Sequence, residues 1–126
     1  MNERYLFRGE RLEQNAKGQH AWHVGYLYLD EEFGNYRIIS GDRDYAIAPS
    51  SIGQCTGLRD KNGRLIFEGD IIQAAYLQEA FAVEWRESAW MLSDKVSIFL
   101  HNMDLSKVEI IGNIHDNPEL LEGGQQ

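Results

Sequence analysis

The chain has little of what secreted and membrane-spanning proteins usually carry. Its 126 residues contain a single cysteine, Cys55, which cannot form an internal disulfide and favours a reducing compartment. No stretch approaches the roughly 18 consecutive apolar residues of a membrane helix, and Met1–Arg4 leads into no apolar signal core. We therefore expect a cytoplasmic protein without a membrane partner.

Common enzyme motifs are also missing. The sequence contains no phosphate-binding GxxxxGK[ST], no dinucleotide-binding GxGxxG and no GxSxG nucleophile elbow. This pattern predicts a non-enzymatic protein with no catalytic residue, no cofactor and no metal.

Charge is distributed unevenly along a composition that suits one folded domain. Hydrophobic residues make up 43% of the chain and aromatic residues 11%, enough for a packed core. Residues 1–64 hold 9 acids and 9 bases, whereas residues 65–126 hold 11 acids and 3 bases and account for the whole net charge of −8. The acidic half disfavours non-specific binding to nucleic acid. It is either a solvated face, a surface for a basic partner or a mimic of DNA.

Apolar alternation predicts a mainly β chain. Strands are expected at residues 4–8, 22–29, 36–40, 45–48, 70–77, 81–86, 89–93 and 109–115, with a less regular one at 98–101. The polar stretch from Arg11 to His20 is predicted to be a loop or hairpin connection, and Glu87-Ser88 a turn. Gln73–Glu79 could instead start a short helix.

Four features add detail to this prediction. Apolar groups on both faces of Trp22–Leu29, with Trp22, Val24, Tyr26 and Tyr28 sharing one of them, indicate an inner strand. Phe81, Val83 and Trp85 are expected on the buried face of their strand. Lys61-Asn62-Gly63 is typical of a hairpin turn. Asn117 as N-cap and Pro118 as first residue predict a short helix over residues 118–122.

Four stretches carry a family resemblance. They are Tyr5–Gly9 (YLFRG) with Trp22–Tyr28 (WHVGYLY), Thr56–Ile72 (TGLRDKNGRLIFEGDII), and Val108–Leu121 (VEIIGNIHDNPELL). In this order they resemble the YopX family of phage and prophage proteins over almost the whole chain, and loosely between Ala74 and Lys107. The resemblance implies a single YopX-like domain over residues 1–126, encoded by a phage or prophage in a bacterial host. It implies no catalytic residue, because the family has no settled biochemical function.

Oxygen-bearing side chains gather around the turn at Lys61-Asn62-Gly63, called the central turn below. They are Asp60, Asn62, Glu68 and Asp70. A hard cation takes such ligands, but a calcium loop needs its glycine at the sixth position and Gly63 occupies the fourth. The alternative is that Asp60 and Asn62 bond to the backbone of their own turn. The structural alternative is the expected one.

The histidines and the cysteine offer weaker constellations. His115 and Asp116 form a candidate acid/base pair, although the same residues suit the start of a helix. Cys55 with His101 or His115 could make a thiol nucleophile, against the alternative of a small buried hydrophobe. His20 and His23 lack the further ligands of a zinc site.

Nucleic-acid binding is the main alternative to protein binding. Bases could stack on exposed aromatics next to a basic patch. The aromatics are Trp22, Tyr26, Tyr28, Trp85 and Trp90, and the basic residues are Arg4, Arg8, Arg11, Lys17, Arg59, Lys61 and Arg64. Aromatics at β spacing are otherwise expected in the core, and we expect that here.

The sequence thus predicts a mainly β fold with minor α structure. An N-terminal β portion, about residues 1–56, is expected to pack on a small SH3-like barrel with a terminal helix, about residues 57–122. The predicted function is a non-enzymatic protein-interaction module whose partner is an unidentified host or phage protein, with homo-oligomerisation open. The alternatives are a nucleic-acid-binding module using the basic residues of the first half, and a small metal-dependent hydrolase.

Overall fold

The computed structural model describes residues 3–14, 16–86, 89–92 and 98–123, and the fold is mainly β with two antiparallel sheets. The strands are β1 Phe7–Gln14, β2 His20–Asp30, β3 Asn35–Ser40, β4 Arg43–Ile47, β5 Gly53–Arg59, β6 Leu65–Phe67, β7 Asp70–Ala74, β8 Phe81–Arg86, β9 Ala89–Leu92 and β10 Val108–Asn113. One short helix, α1, spans Glu119–Gly123, and 3-10 turns occupy Glu3–Tyr5, Pro49–Ser51, Leu100–Asn102 and Leu105–Lys107. Within the described ranges, no helix combines the length and apolarity needed to cross a membrane.

The chain divides into two compact units, Met1–Cys55 and Thr56–Gln126. In the first unit β1 pairs with β2, β2 with β3, β3 with β4, and β4 returns to β1 through Arg11 and Ile47. The pairings therefore close a circuit of four antiparallel strands. The start of β5 adds to β1, where Gln54 pairs with Phe7.

The centre of this circuit is narrow and depends on glycine. Ile38 and Ile47 are fully buried there. A Cβ added to Gly9 would lie 2.3 Å from Cγ2 of Ile47, and one added to Gly25 would lie 1.8 Å from the carbonyl oxygen of Ile39. Real side chains do not approach so closely, so the strands could not pack at this distance with any other residue.

The second unit has its own core beneath a sheet with the strand order β10-β7-β8-β9. Its buried apolar residues are Ile66, Ile72, Ala74, Phe81, Val83, Leu92, Leu100, Val108 and Ile110. An SH3-like closure of residues 57–122 stays a prediction.

The predicted hairpin turn is confirmed. Asp60 N–H donates to the Arg64 carbonyl at 2.9 Å, and Gly63 takes a positive φ of 79° between β5 and β6. The inner position of the Trp22–Leu29 strand is also confirmed, since β2 pairs with both β1 and β3.

Other details differ from the prediction. The predicted loop or hairpin connection from Arg11 to His20 does join the antiparallel strands β1 and β2, but it is shorter than predicted. Arg11–Gln14 belongs to β1, where Arg11 pairs with Ile47 and packs its guanidinium 4.9 Å from the centre of the Tyr45 ring. The helix alternative for Gln73–Glu79 is wrong: β7 runs to Ala74 and a turn follows, closed by the Leu77 N–H on the Ala74 carbonyl at 2.9 Å. The predicted strand at 4–8 is partly confirmed: Phe7 and Arg8 begin β1, whereas Arg4 and Tyr5 lie in a 3-10 turn. At 98–101 the structure has an isolated bridge from Phe99 to Met91, and a 3-10 turn begins at Leu100.

Trp85 is exposed to solvent, contrary to its predicted place in the core. Its side chain is 55% exposed, whereas Phe81 and Val83 on the same strand are buried. Cross-strand pairing explains this, because the Trp85 ring packs edge-on against Trp90 with centroids 4.9 Å apart. The predicted turn Glu87-Ser88 and the end of the next strand at Ser93 lie outside the described residues.

Candidate functional site

An exposed apolar surface of the first unit is a patch on one face of β2, β3 and β4. Side chains alternate along a strand, so Val24, Tyr26 and Tyr28 project from one face of β2. The register of β3 places Ile39 opposite Tyr26 and Arg37 opposite Tyr28. We call this set, with Asp44 of β4, the tyrosine patch: Val24, Tyr26, Tyr28, Arg37, Ile39 and Asp44.

The apolar members of the tyrosine patch are open to solvent. Val24 is 40% exposed, Tyr26 39%, Tyr28 36% and Ile39 41%. Single exposed apolar residues are ordinary, but four that are neighbours on two paired strands form a continuous surface. Such a surface is the kind that contacts another molecule.

A polar network fixes one side of the patch. The Asp44 carboxylate accepts hydrogen bonds from Arg37 Nη2 at 3.1 Å and Arg37 Nε at 3.3 Å, and from the Tyr28 hydroxyl. The hydrogen bonds from Arg37 and Tyr28 lower the pKa of Asp44, and the bond to Asp44 raises the pKa of Tyr28. Tyr28 is therefore a neutral donor, and the charges of Arg37 and Asp44 compensate each other.

The inner side of the same strands explains why the apolar residues stay outside. Gly25 and Ile38 face the narrow centre, where position 25 of β2 has no room for a side chain. The aromatic side chains of β2 are consequently left on the solvent side. Arg8, which pairs with Val24, extends the surface by lying 5.1 Å from the centre of the Trp22 ring.

Basic residues of the first half mostly face carboxylates, rings or carbonyls. Arg11 forms an ion pair with Glu13 at 2.9 Å, and Arg37 one with Asp44 at 3.1 Å. Lys61 lies 3.4 Å from Glu109, and Arg59 donates to the Gly63 carbonyl at 2.7 Å. Compensated bases weaken the case for a groove that follows the phosphate backbone of a nucleic acid.

The carboxylates near the central turn accept hydrogen bonds from backbone N–H groups. Asp60 is 6% exposed and accepts from the N–H groups of Asn62 at 2.9 Å, Arg64 at 3.0 Å and Ile110 at 3.1 Å. Burial acts to raise the pKa of Asp60, but these hydrogen bonds outweigh it and lower the pKa. Asp70 is 2% exposed and accepts from the Phe67 N–H at 2.7 Å.

The His115-Asp116 segment is organised by Asn113. Its Oδ1 accepts from the backbone N–H of His115 and of Asp116, each at 2.9 Å. The Asn117 Oδ1 accepts from the Asn113 N–H at 3.2 Å, and the Asn117 carbonyl accepts from the Leu120 N–H at 3.0 Å next to the start of the helix. The helix itself begins at Glu119 and ends at Gly123, one residue later at each end than predicted.

The remaining cysteine and histidine candidates are buried or already contact other groups. Cys55 is fully buried. Both ring nitrogens of His20 are within hydrogen-bond distance of partners, the Arg11 carbonyl and Gln14, while His23 stacks on Tyr45 at 3.7 Å. The His101 ring packs against Phe99. Within the described ranges, no three His, Cys, Asp or Glu side chains are grouped so as to hold a metal ion.

Sequence reasoning assigned Tyr26 and Tyr28 to the core and so missed the tyrosine patch. The signal was present in the alternation, since apolar residues occupy both faces of β2 and Gly25 stands on one of them. A face that carries glycine is the face with the least room. That observation points the aromatics outward.

Comparison with known proteins identifies the family. The family profile described as YopX protein matches residues 2–122 of the chain. No curated protein matches it. Because the match covers nearly all of the 126 residues, the chain belongs to the YopX family.

Proposed function

We propose that this protein is a non-enzymatic interaction module that binds another protein through the tyrosine patch. The observation that carries the proposal is the run of exposed apolar side chains Val24, Tyr26, Tyr28 and Ile39 on paired strands. The resemblance to phage and prophage proteins supports a partner from the phage or from its bacterial host.

The chemistry of the patch suits protein more than nucleic acid. Tyrosine and arginine are enriched at protein interfaces, and tyrosine is prominent among the residues that dominate binding energy. The paired strands hold Tyr26 and Ile39 side by side, so little conformational entropy would be lost on contact. Arg37 and Asp44 already satisfy each other, which suits a rim contact rather than a phosphate contact.

Site-specific photo-cross-linking tests the proposal. A benzophenone amino acid replaces Tyr26 in one variant and Tyr76 in the other, and both are expressed in the bacterium that carries the gene. Tyr76 is a matched control, because it is an aromatic residue with 52% exposure in a turn of the second unit. We expect a discrete cross-linked protein from position 26 that is missing from position 76.

Each outcome has a defined meaning. Cross-linking to a second copy of this chain would show that the partner is the same protein and that the patch forms a homo-oligomer, which also supports the proposal. Cross-linking to nucleic acid from position 26, or the same set of proteins from both positions, would contradict it.

A further inference from the structure

A cavity of about 440 Å³ opens on the second unit, at the end of the β7–β10 ladder. Its walls include Lys61, Gln73, Leu77, Lys107 and Glu109. The volume lies in the range of about 300–1,000 Å³ that is typical of sites for small molecules.

Backbone contacts fix the positions of the two lysines. The N–H of Lys61 donates to the carbonyl of Val108 at 2.8 Å, which anchors the central turn beside β10. Lys107 ends a 3-10 turn whose start is capped by Asp104, which accepts from the Ser106 N–H at 3.2 Å. The antiparallel register places Glu109 directly opposite Gln73.

The charge of this cavity runs against that of its surroundings. Residues 65–126 contain 11 acids and 3 bases, yet Lys107 shares the cavity with Lys61 from the central turn. Glu109 lies 3.4 Å from Lys61 and compensates only one of the two cations. Lys107 forms no ion pair with any residue that the structure describes, although its charge helps to lower the pKa of Asp104.

We propose that this cavity binds a phosphate group, held between the ammonium groups of Lys61 and Lys107. A lysine ammonium is a compact cation and a common phosphate ligand. The Gln73 amide offers a further donor, and Leu77 provides an apolar wall for whatever carries the phosphate. The cavity has room for a small phosphorylated organic molecule as well as for inorganic phosphate.

Titration calorimetry on the full chain tests the site with adenosine monophosphate, inorganic phosphate and adenosine as probes. We expect both phosphate compounds to bind and adenosine not to bind. Tighter binding of the monophosphate would identify a phosphorylated organic ligand, and equal binding would identify the free anion. Absence of binding by both, or binding of adenosine as tight as that of its monophosphate, would overturn the proposal.

Three variants separate a built site from general attraction of anions. Lys107→Ala should weaken phosphate binding at least tenfold, whereas Lys17→Ala, the same charge change in the first unit, should leave it within twofold. Glu109→Gln removes the competing carboxylate and should tighten binding severalfold. Equal effects of Lys107→Ala and Lys17→Ala would overturn the proposal, provided that both variants keep the wild-type circular dichroism spectrum.

Discussion

At the scale of single residues, Gly25 sets how closely β2 and β3 approach. A Cβ at this position would lie 1.8 Å from the carbonyl oxygen of Ile39, and a backbone atom cannot turn aside as a side chain can. We predict that Gly25→Ala lowers the free energy of unfolding by about 2 kcal/mol or more, in the manner of an overpacked core. Urea unfolding measures the change.

Gly34 provides the matched control for this substitution. It also lies in the first unit, and a Cβ there would meet nothing within 4 Å, although its φ of 71° is left-handed. Gly34→Ala should therefore cost only the conformational strain, about 1 kcal/mol. If both variants lost the same free energy of unfolding, the close contact between position 25 and the Ile39 carbonyl would not be the reason that this position requires glycine.

A second residue-scale prediction concerns His23. Its Nε2 is buried and lacks a hydrogen-bond partner among the described residues, and its ring stacks on Tyr45 at an angle of 7°. A phenylalanine keeps the stack and removes the unsatisfied nitrogen, so His23→Phe should raise the free energy of unfolding by about 1 kcal/mol. His20→Phe should give no such gain, because both ring nitrogens of His20 have partners.

The pH dependence of stability provides a further readout for His23. Burial, and then the nearby Arg11, lowers its pKa below 6.5 in the folded protein. The unfolded chain takes up a proton as the pH falls below 6.5 while the folded chain does not, so stability decreases from pH 6.5 down to the folded pKa. The His23→Phe variant should lose this slope, and an unchanged slope would assign it to another group.

At the scale of elements, Asp60 connects the turn between β5 and β6 to strand β10, fifty residues further along the chain. Its carboxylate accepts hydrogen bonds from two backbone N–H groups within the turn and from the N–H of the buried residue Ile110. Asp60→Asn would turn an amide donor towards at least one of these N–H groups. We predict a loss of about 3 kcal/mol in the free energy of unfolding, because a buried N–H would lose its acceptor.

Acid titration checks the same carboxylate. Since the pKa of Asp60 is lowered from 3.8, its contribution is present above that value and is lost as the pH falls through the folded pKa. Wild type should therefore lose stability below pH 3.8 more steeply than Asp60→Asn. Parallel acid profiles for the two proteins would contradict the role of Asp60 as an ionised backbone acceptor.

The elements were easier to predict than the direction of their faces. The hairpin turn and the inner strand β2 follow from local chemistry, namely Asn-Gly at the turn and apolar residues at alternate positions. The buried face of β2 is determined by how closely β2 approaches β3. In the sequence, Gly25 is the only indication of that close approach. Trp85 was misassigned for a similar reason, since its cross-strand partner Trp90 replaces the core as its contact.

The strand Arg11–Gln14 was missed because its side chains are polar. Its pairing with β2 and β4 comes from the closed circuit of strands, which no local pattern in residues 11–14 expresses. The tyrosine patch was missed with it, since it exists only when β2, β3 and β4 lie in register. By contrast, the backbone role of Asp60 was predicted, because aspartate next to a turn commonly bonds its own backbone.

At the scale of the whole molecule, the net charge and the tyrosine patch fall in different parts of the chain. The net charge of −8 comes from residues 65–126, whereas the tyrosine patch lies in the neutral half and compensates its own charges. We infer that the acidic half contributes solubility and long-range attraction of partners, and that the patch contributes the contact itself.

The affinity of the cross-linked partner for patch variants tests this account most directly. The partner is purified, and its dissociation constant is measured for wild type, for Tyr26→Ala with Ile39→Ala, and for Tyr76→Ala as the exposed aromatic control. Truncating two central contacts at over 1 kcal/mol each should weaken binding at least tenfold, while the control should stay within about twofold of wild type. Wild-type affinity in the double variant, with its fold intact, would contradict the assignment of the tyrosine patch as the binding surface.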